Sequence, residues 1–248
     1  MINPTERFSE RAGDYANHRP SYPLECIAFL QQQFNITKDT VIADIGSGTG
    51  ILTGLLLDLD CEVIAVEPND QMRIIAEKQL KKNDKFISIN GTGERTNLQA
   101  GSIDLITVAQ AFHWLDETKA KHEFSRILKP EGSIALIWNV QKKVTAFDKT
   151  YEALKIKYGK DYVAIRKTHE PDLKAFFAPK TYHVNRFPHH MVLDKEGMIG
   201  LIRSSSFMPV PNAPNYQEMI NEAEALFKEH QEAGLVRINY ETHVHYGT

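Results

Sequence analysis

The sequence predicts an α/β fold built on a buried parallel sheet, and three observations carry that prediction. From about residue 40 to residue 140, short β-branched apolar runs alternate with longer amphipathic stretches, the pattern of repeated βα units. Three glycines at positions 46, 48 and 50 break the chain directly after the first of those runs. The 248 residues, 42% hydrophobic and 25% charged, have the composition of a globular chain able to bury such a core, which excludes a disordered, collagenous or coiled-coil protein.

The elements follow in order. The first 37 residues hold one helix, Leu24 to Phe34, behind a segment rich in Pro, Tyr and Arg. Thr40 to Ile45 (TVIADI) is a first strand, and Ile51 to Leu59 a helix that starts at the glycine bend. Cys61 to Val66 is a second strand, ending at Glu67-Pro68. Asn69 then caps a helix whose Met72, Ile75, Ala76 and Leu80 lie on one face. Its lysines, Lys78, Lys81 and Lys82 with Lys85, suit the helix carboxyl end and solvent. Lys85 to Asn90 and Ile103 to Ala109 are strands three and four. Asp116 caps a helix to about Leu128, a turn follows at Lys129-Pro130-Glu131-Gly132, and Ser133 to Asn139 is the fifth strand. Beyond Asn139 the alternation loosens. Phe147, Tyr151, Leu154 and Tyr158 share helical spacing in a charged stretch to about residue 180, which reads as an inserted cap. Helices follow at Met198, Leu201 and Ile202 and at Met219, Ile220, Ala223, Leu226 and Phe227, and Leu235 to Tyr246 alternates like a half-exposed strand. The organisation expected is one domain over 1–248, with an amino-terminal cap segment (1–37), a ligand-binding core (38–140), the inserted cap (141–180) and a carboxyl-terminal part (181–248).

Charge and cysteine content narrow the partners. With 29 basic and 32 acidic residues, the net charge of −3 gives no global field to attract nucleic acid or an anionic membrane. Cys26 and Cys61 are too few for a disulfide framework and read as small apolar fillers in a reducing compartment. The opening residues carry no apolar leader core, and no run of about 18 apolar residues occurs, so a cytoplasmic location without membrane or nucleic-acid partners is expected.

The glycine bend between a strand and a helix lets a ligand approach the backbone and the unpaired N–H groups of the helix start. A dinucleotide fingerprint would need glycine at position 51, which is Ile51, and no lysine follows the glycines as in a P-loop. Glu67, 17 residues past Gly50 at the end of the second strand, stands where a carboxylate accepts both hydroxyls of a ribose. Together the two features favour an adenosine-containing ligand without a pyrophosphate.

The successive segments VIADIGSGTG, AVEPNDQM, GTGERTNLQAGSIDLITVAQAFHW and RILKPEG, in that order over about residues 38 to 140, resemble the motifs of class I S-adenosylmethionine-dependent methyltransferases. RAGDYANHRPSYP and AQAFHW are similar to a narrower group, the trans-aconitate methyltransferase-like small-molecule enzymes. The resemblance implies a Rossmann-like doubly wound sheet of seven strands, the last antiparallel, with a helical cap from the amino terminus and an insertion after strand five. It implies S-adenosylmethionine as cofactor. Gly46, Ser47 and Gly48 would pass beneath the methionine moiety, Asp44 would orient the loop, Glu67 would hold the ribose and Pro68 would pack on the adenine. The family's G-D-A-E reads Gly91-Thr92-Gly93-Glu94 here, so adenine recognition would rest on backbone groups at Gly93 and Glu94. Gln110 would lie near the methionine end, and Arg19, with Tyr15 and Tyr22, would pair with the cofactor carboxylate and fold the amino-terminal segment over it.

In-line attack on a sulfonium methyl mainly requires alignment and exclusion of water. His113 is the candidate base for an acceptor that must lose a proton; its alternative is a ring packed beside Trp114. The [DN]-P-P-[YF] sequence of many amino-group methyltransferases is absent, which favours transfer to oxygen or carbon. Among the aromatic residues, Trp114 and Trp138, with Tyr15 and Tyr22, are the candidate substrate-pocket residues, and Phe112, Phe147, Tyr151 and Phe207 are further lining candidates. His189-His190 and the pair His243 and His245 raise a metal site, but no HExxH or Cys/His cluster accompanies them, so none is expected. Two other readings stand beside the enzyme: a non-catalytic S-adenosylmethionine- or S-adenosylhomocysteine-binding module, and a nicotinamide-dependent oxidoreductase, against which Ile51 argues.

Overall fold

A computed structural model describes residues 12–160, 162 and 173–248. The leader up to residue 11, and the part of the expected inserted cap at 161 and 163–172, lie outside the described residues. Seven strands, β1 (Val41–Ile45), β2 (Glu62–Val66), β3 (Phe86–Ile89), β4 (Ile103–Ala109), β5 (Leu128–Gln141), β6 (Tyr182–Leu193) and β7 (Val236–Gly247), form one sheet in the order β3-β2-β1-β4-β5-β7-β6. The first five are parallel, and β7 is antiparallel to both β5 and β6. The direction of winding reverses between β1 and β4. At such a reversal, the helices that follow neighbouring strands leave to opposite faces and open a crevice at the strands' carboxyl ends.

The helices described are α1 (Ala12–His18), α2 (Leu24–Gln33), α3 (Ile51–Leu57), α4 (Asp70–Leu80), α5 (Glu117–Ile127), α6 (Ala146–Tyr158), α7 (Leu173–Phe177), α8 (Lys195–Ser204) and α9 (Tyr216–His230). Several begin where the sequence provides a cap. Asn69 accepts from the Met72 N–H, Asp116 from Lys119 and Asp194 from Gly197, while Thr145 and Asp148 form a reciprocal capping box. The central strands read as continuous apolar runs because both faces are buried. Ile42 packs with α2 and α3 residues such as Leu30 and Leu56, and its neighbour Ala43 packs with Phe124 and Ile127 of α5. A third cluster joins α6, α8 and α9 to one end of β7 through Leu154, Ile202, Ala223 and Ile238.

Three elements depart from the sequence reading. α1 is a second helix within the first 37 residues, where only Leu24 to Phe34 was expected. Lys129-Pro130-Glu131-Gly132 makes no turn but belongs to β5, as a bulge. The register runs from Ile103 opposite Leu128 to Leu105 opposite Ser133, and Lys129 anchors the excess chain to Asp104 at 2.7 Å. β6 is the one of the seven expected strands that the residue pattern did not locate. It is a sheet edge, so only one side needs a partner, and a strand carrying Pro188, His189 and His190 is tolerated there.

Candidate functional site

The glycine bend is forced by left-handed backbone. Gly46, Gly48 and Gly50 have φ of 66°, 58° and 84°, and a Cβ on Gly46 would lie 2.5 Å from that of Ala111. The bend turns the chain from β1 into α3 and is held to β2, since the Gly46 and Ser47 N–H groups donate to the Val66 carbonyl.

Two carboxylates brace this bend. Asp44, 1% exposed, accepts from the Thr53 hydroxyl at 2.6 Å and the Thr107 hydroxyl at 2.9 Å, tying β1 to α3 and β4. Burial pushes its carboxyl up to about 6, against the pull of the two hydroxyls. Glu67, 7% exposed, accepts from the Gly48 N–H at 2.9 Å and the Asn69 N–H at 2.8 Å, one on each oxygen. Burial raises its pKa too, and the backbone donors and Arg73 moderate the rise. Each carboxylate oxygen of Glu67 retains capacity for a further donor.

Above the bend lie two adjoining cavities that share Tyr15, Gly46, Gly48, Ala109 and Gln110 as lining. The larger, about 300 Å³, is lined by Glu67, Pro68, Asn69, Met72, Thr92, Gly93, Glu94, Ala111, Trp114 and Leu115. The smaller, about 40 Å³, is lined by Arg19, Pro20, Tyr22, Asp44, Ser47, Ile51 and Leu52. The strap from α1 to Pro23 closes this smaller space. Its Arg19 donates to the Ser204 carbonyl at 3.0 Å and lies 4.9 Å over the Tyr15 ring, and Asp14 pairs with Arg203 at 3.2 Å. Burial raises the pKa of both strap phenols, Tyr15 and Tyr22, so they remain donors at neutral pH.

These residues suit an adenosine joined to an amino acid. Among the described residues, the buried Arg19 Nε and Ser47 Oγ have no hydrogen-bond partner, and both residues line the smaller cavity, where a ligand carboxylate would satisfy them. The larger cavity pairs the Glu67 carboxylate with the apolar walls of Pro68, Met72, Trp114 and Leu115, which suits a ribose beside a flat base.

All ten cofactor candidates named from the sequence, Arg19, Asp44, Gly46, Ser47, Gly48, Glu67, Pro68, Gly93, Glu94 and Gln110, line one or both cavities, as do Tyr15, Tyr22 and Trp114. Trp138 does not. It points to the face of β5 opposite Asn139, into the core with Phe112 (ring centroids 6.2 Å apart) and His245 (5.3 Å), because neighbouring residues of a strand face opposite ways. Phe112 is core as well, and Phe147 and Tyr151 belong to the cluster under α8 and α9. His113 lies in a short 3₁₀ turn, Phe112–Trp114, with its ring 4.8 Å from Trp114, and is not among the residues lining either cavity. The histidines of β7 have protein partners, His243 with Glu241 and His245 with the Tyr182 hydroxyl, both at 2.7 Å. Met72 and Asn69, read as core and cap, also line the larger cavity; helical spacing alone does not reveal that the first turn of α4 faces a ligand.

A seven-stranded sheet of this order and direction, with a glycine bend and an acidic residue after its first two strands, is the Rossmann-like class I methyltransferase fold. The family model described as a methyltransferase domain matches residues 43–136. An uncharacterized methyltransferase of Bacillus thuringiensis is 30% identical over 191 residues, covering 71% of this chain and 88% of that protein. A protein of Saccharomyces cerevisiae named as a probable S-adenosylmethionine-dependent methyltransferase is 34% identical over 157 residues, 60% of this chain and 53% of its own length. A solved structure assigned to a type II methyltransferase of Anaeromyxobacter dehalogenans superposes with a TM-score of 0.69 at 17% identity, covering 92% of this chain and 97% of that one. The chain belongs to the class I S-adenosylmethionine-dependent methyltransferases. It spans about half the length of most of the curated relatives it matches. Among the described residues, no helix is long and apolar enough to cross a membrane.

Proposed function

We propose that this protein transfers a methyl group from S-adenosylmethionine to a small-molecule acceptor, at oxygen or carbon rather than at an amine. The observation that carries the reading is the two-part cleft over the Gly46–Gly48 bend, with the Glu67 carboxylate lining one part and the Arg19 guanidinium the other. When bound, S-adenosylmethionine supplies an electrophilic methyl group on a sulfonium. The chain's own residues provide position. Glu67 would accept from both ribose hydroxyls, Pro68 would pack on the base, and the backbone at Gly93 and Glu94 would bond its edge. Arg19 and Ser47 would hold the carboxylate, and Gln110 would border the methionine end. Asp44 acts through the loop, fixing β1 to α3 and β4.

The strap lines the smaller cavity, and its Tyr15 and Tyr22 phenols, kept protonated by burial, can donate to an acceptor oxygen but not take its proton. An acceptor already ionised, or one whose proton leaves to solvent, suits a lining in which, among the described residues, no histidine takes part. The segment after β4 supports oxygen or carbon over nitrogen. In place of an Asn-Pro-Pro or Asp-Pro-Pro turn stands Gln110-Ala111-Phe112, and Gln110 commits its amide N–H to the Asn139 carbonyl at 3.3 Å.

The test is calorimetry with S-adenosylhomocysteine, followed by incubation with methyl-labelled S-adenosylmethionine and a panel of small carboxylic acids, phenols, enolisable ketones and amines. Micromolar binding and label in an oxygen or carbon acceptor are expected. Label in amines alone would overturn the acceptor class, tight binding without any transfer would favour a non-catalytic binding module, and absence of binding would overturn the whole reading.

A further inference from the structure

We propose that Asn139 is a positioning residue that latches the amino-terminal strap over the cleft; the inference rests on the reading of the cleft as a methyl-donor site. Asn139 stands at the carboxyl end of β5, and its side chain bonds in two directions. Its Nδ2 donates to the Pro20 carbonyl at 3.4 Å and the Ser21 carbonyl at 3.1 Å. Its Oδ1 accepts from the Thr242 hydroxyl at 2.6 Å and from His189 Nε2 at 3.1 Å. The two strap carbonyls only accept, so the amide orientation is fixed, and with it the proton on His189 Nε2. One side chain thus joins β5, β7 and β6 to the segment that begins with Arg19, and the backbone carbonyl of Asn139 accepts from the Gln110 side-chain amide. Gln110, at φ 56°, is a non-glycine residue in left-handed backbone and lines both cavities.

The strap has other supports: on its α8 side Arg19 bonds the Ser204 carbonyl and Asp14 pairs with Arg203, and Tyr22 packs into the core with Ile42 and Ile137 of the sheet. On the sheet side, Asn139 supplies side-chain hydrogen bonds to the strap backbone. The latch therefore sets how closely Arg19, Pro20 and Tyr22 approach the bend, without touching the ligand itself.

Asn139→Asp isolates this role, because it is isosteric and leaves an oxygen for Thr242 and His189 while replacing the donor that faces Pro20 and Ser21. The ionised carboxylate would repel both carbonyls.

Relative to the wild type, Asn139→Asp and Asn139→Ala should each bind S-adenosylhomocysteine about tenfold more weakly at pH 8. Amide exchange should quicken in residues 12–23 of the Asp variant and not in β1 or β2. Binding within twofold of wild type at pH 8 with unchanged strap exchange would overturn the latch. So would faster exchange spread across the whole sheet, which would mark Asn139 as a general structural support. If the wild type itself fails to bind S-adenosylhomocysteine, the donor-site reading falls, and strap exchange in Asn139→Asp still decides whether the latch exists.

Discussion

The two sides of the cleft are held by polar contacts of very different reach. On the side of β1 and β2, Asp44 bonds Thr53 nine residues on and Thr107 sixty-three residues on, and Glu67 bonds Gly48 nineteen residues back and Asn69 two residues on. On the side of β5 and β7, Arg19 bonds Ser204 across 185 residues, Asn139 bonds Pro20 across 119, and Asp148 bonds Asn239 across 91. Apart from the Thr107 bond, which waits for β4, the first side is a local device whose contacts close short loops. The second exists only once the whole chain has folded, since it draws together the strap, the end of β5, the last strand and α8. Damage to the first should appear in ligand affinity and local strain. Damage to the second should appear in closure.

The largest expected effect tests the local side. Gly46→Val places a β-branched residue at φ 66° and a Cβ within 2.5 Å of that of Ala111. Left-handed backbone costs a non-glycine residue about 1–2 kcal/mol before the clash is counted. Affinity for S-adenosylhomocysteine should fall more than 100-fold in calorimetry, and retained binding would show that the bend is not the ligand's floor.

Asp44 comes next. Its folded-state pKa lies above the ordinary aspartate value, so its contribution to stability is fully present at low pH and is lost as pH rises through about 6. A shift of about two units corresponds to about 3 kcal/mol between pH 4 and pH 7. Urea unfolding should show that slope in the wild type and its absence in Asp44→Asn, whatever the absolute stability of the variant. Equal slopes would mean that the carboxylate is better solvated than its burial implies.

Glu67→Ala should weaken S-adenosylhomocysteine binding about 10- to 50-fold. It removes the ribose acceptor and leaves the Gly48 and Asn69 N–H groups without their carboxylate, each such loss being worth about 1–3 kcal/mol when buried. Glu67→Gln retains one acceptor and should lose less. If the two variants bind alike, the single neutral acceptor left by Gln counts for nothing, and the ribose hydroxyls need the full carboxylate.

The same contrast explains what the sequence revealed. The bend, Asp44, Glu67 and the caps at Asn69 and Asp116 were legible because each is a short signal with a partner within about twenty residues, while the bond of Asp44 to Thr107, sixty-three residues on, was not. β6 was not, because an edge strand needs no alternating apolar face and this one carries Pro188 and three histidines. Trp138 was placed in the pocket because its strand was recognised without its register. Only the pairing of Asn139 with Thr242 shows that the odd-numbered residues of β5 turn toward the strap, and Trp138 therefore away from it. Asn139 gave no sequence signal, since an asparagine closing a strand ordinarily marks a turn.

The smallest effect is expected at the other anchor of the strap. Asp14 and Arg203 form an ion pair at 3.2 Å with side chains 31% and 36% exposed, so water screens most of its energy and about 0.2–1 kcal/mol is the usual worth of such a pair. Asp14→Ala should change S-adenosylhomocysteine affinity less than threefold, and raising the salt to 0.5 M should erase even that difference. The ring of His18, by contrast, sits where a Cβ on Gly200 would come within 2.3 Å of it, so α1 rests on α8 through close packing rather than charge. A large, salt-sensitive loss in Asp14→Ala would reverse that ranking. The strap would then be held electrostatically from α8, and the closure assigned to the sheet side would belong to the far end of the chain.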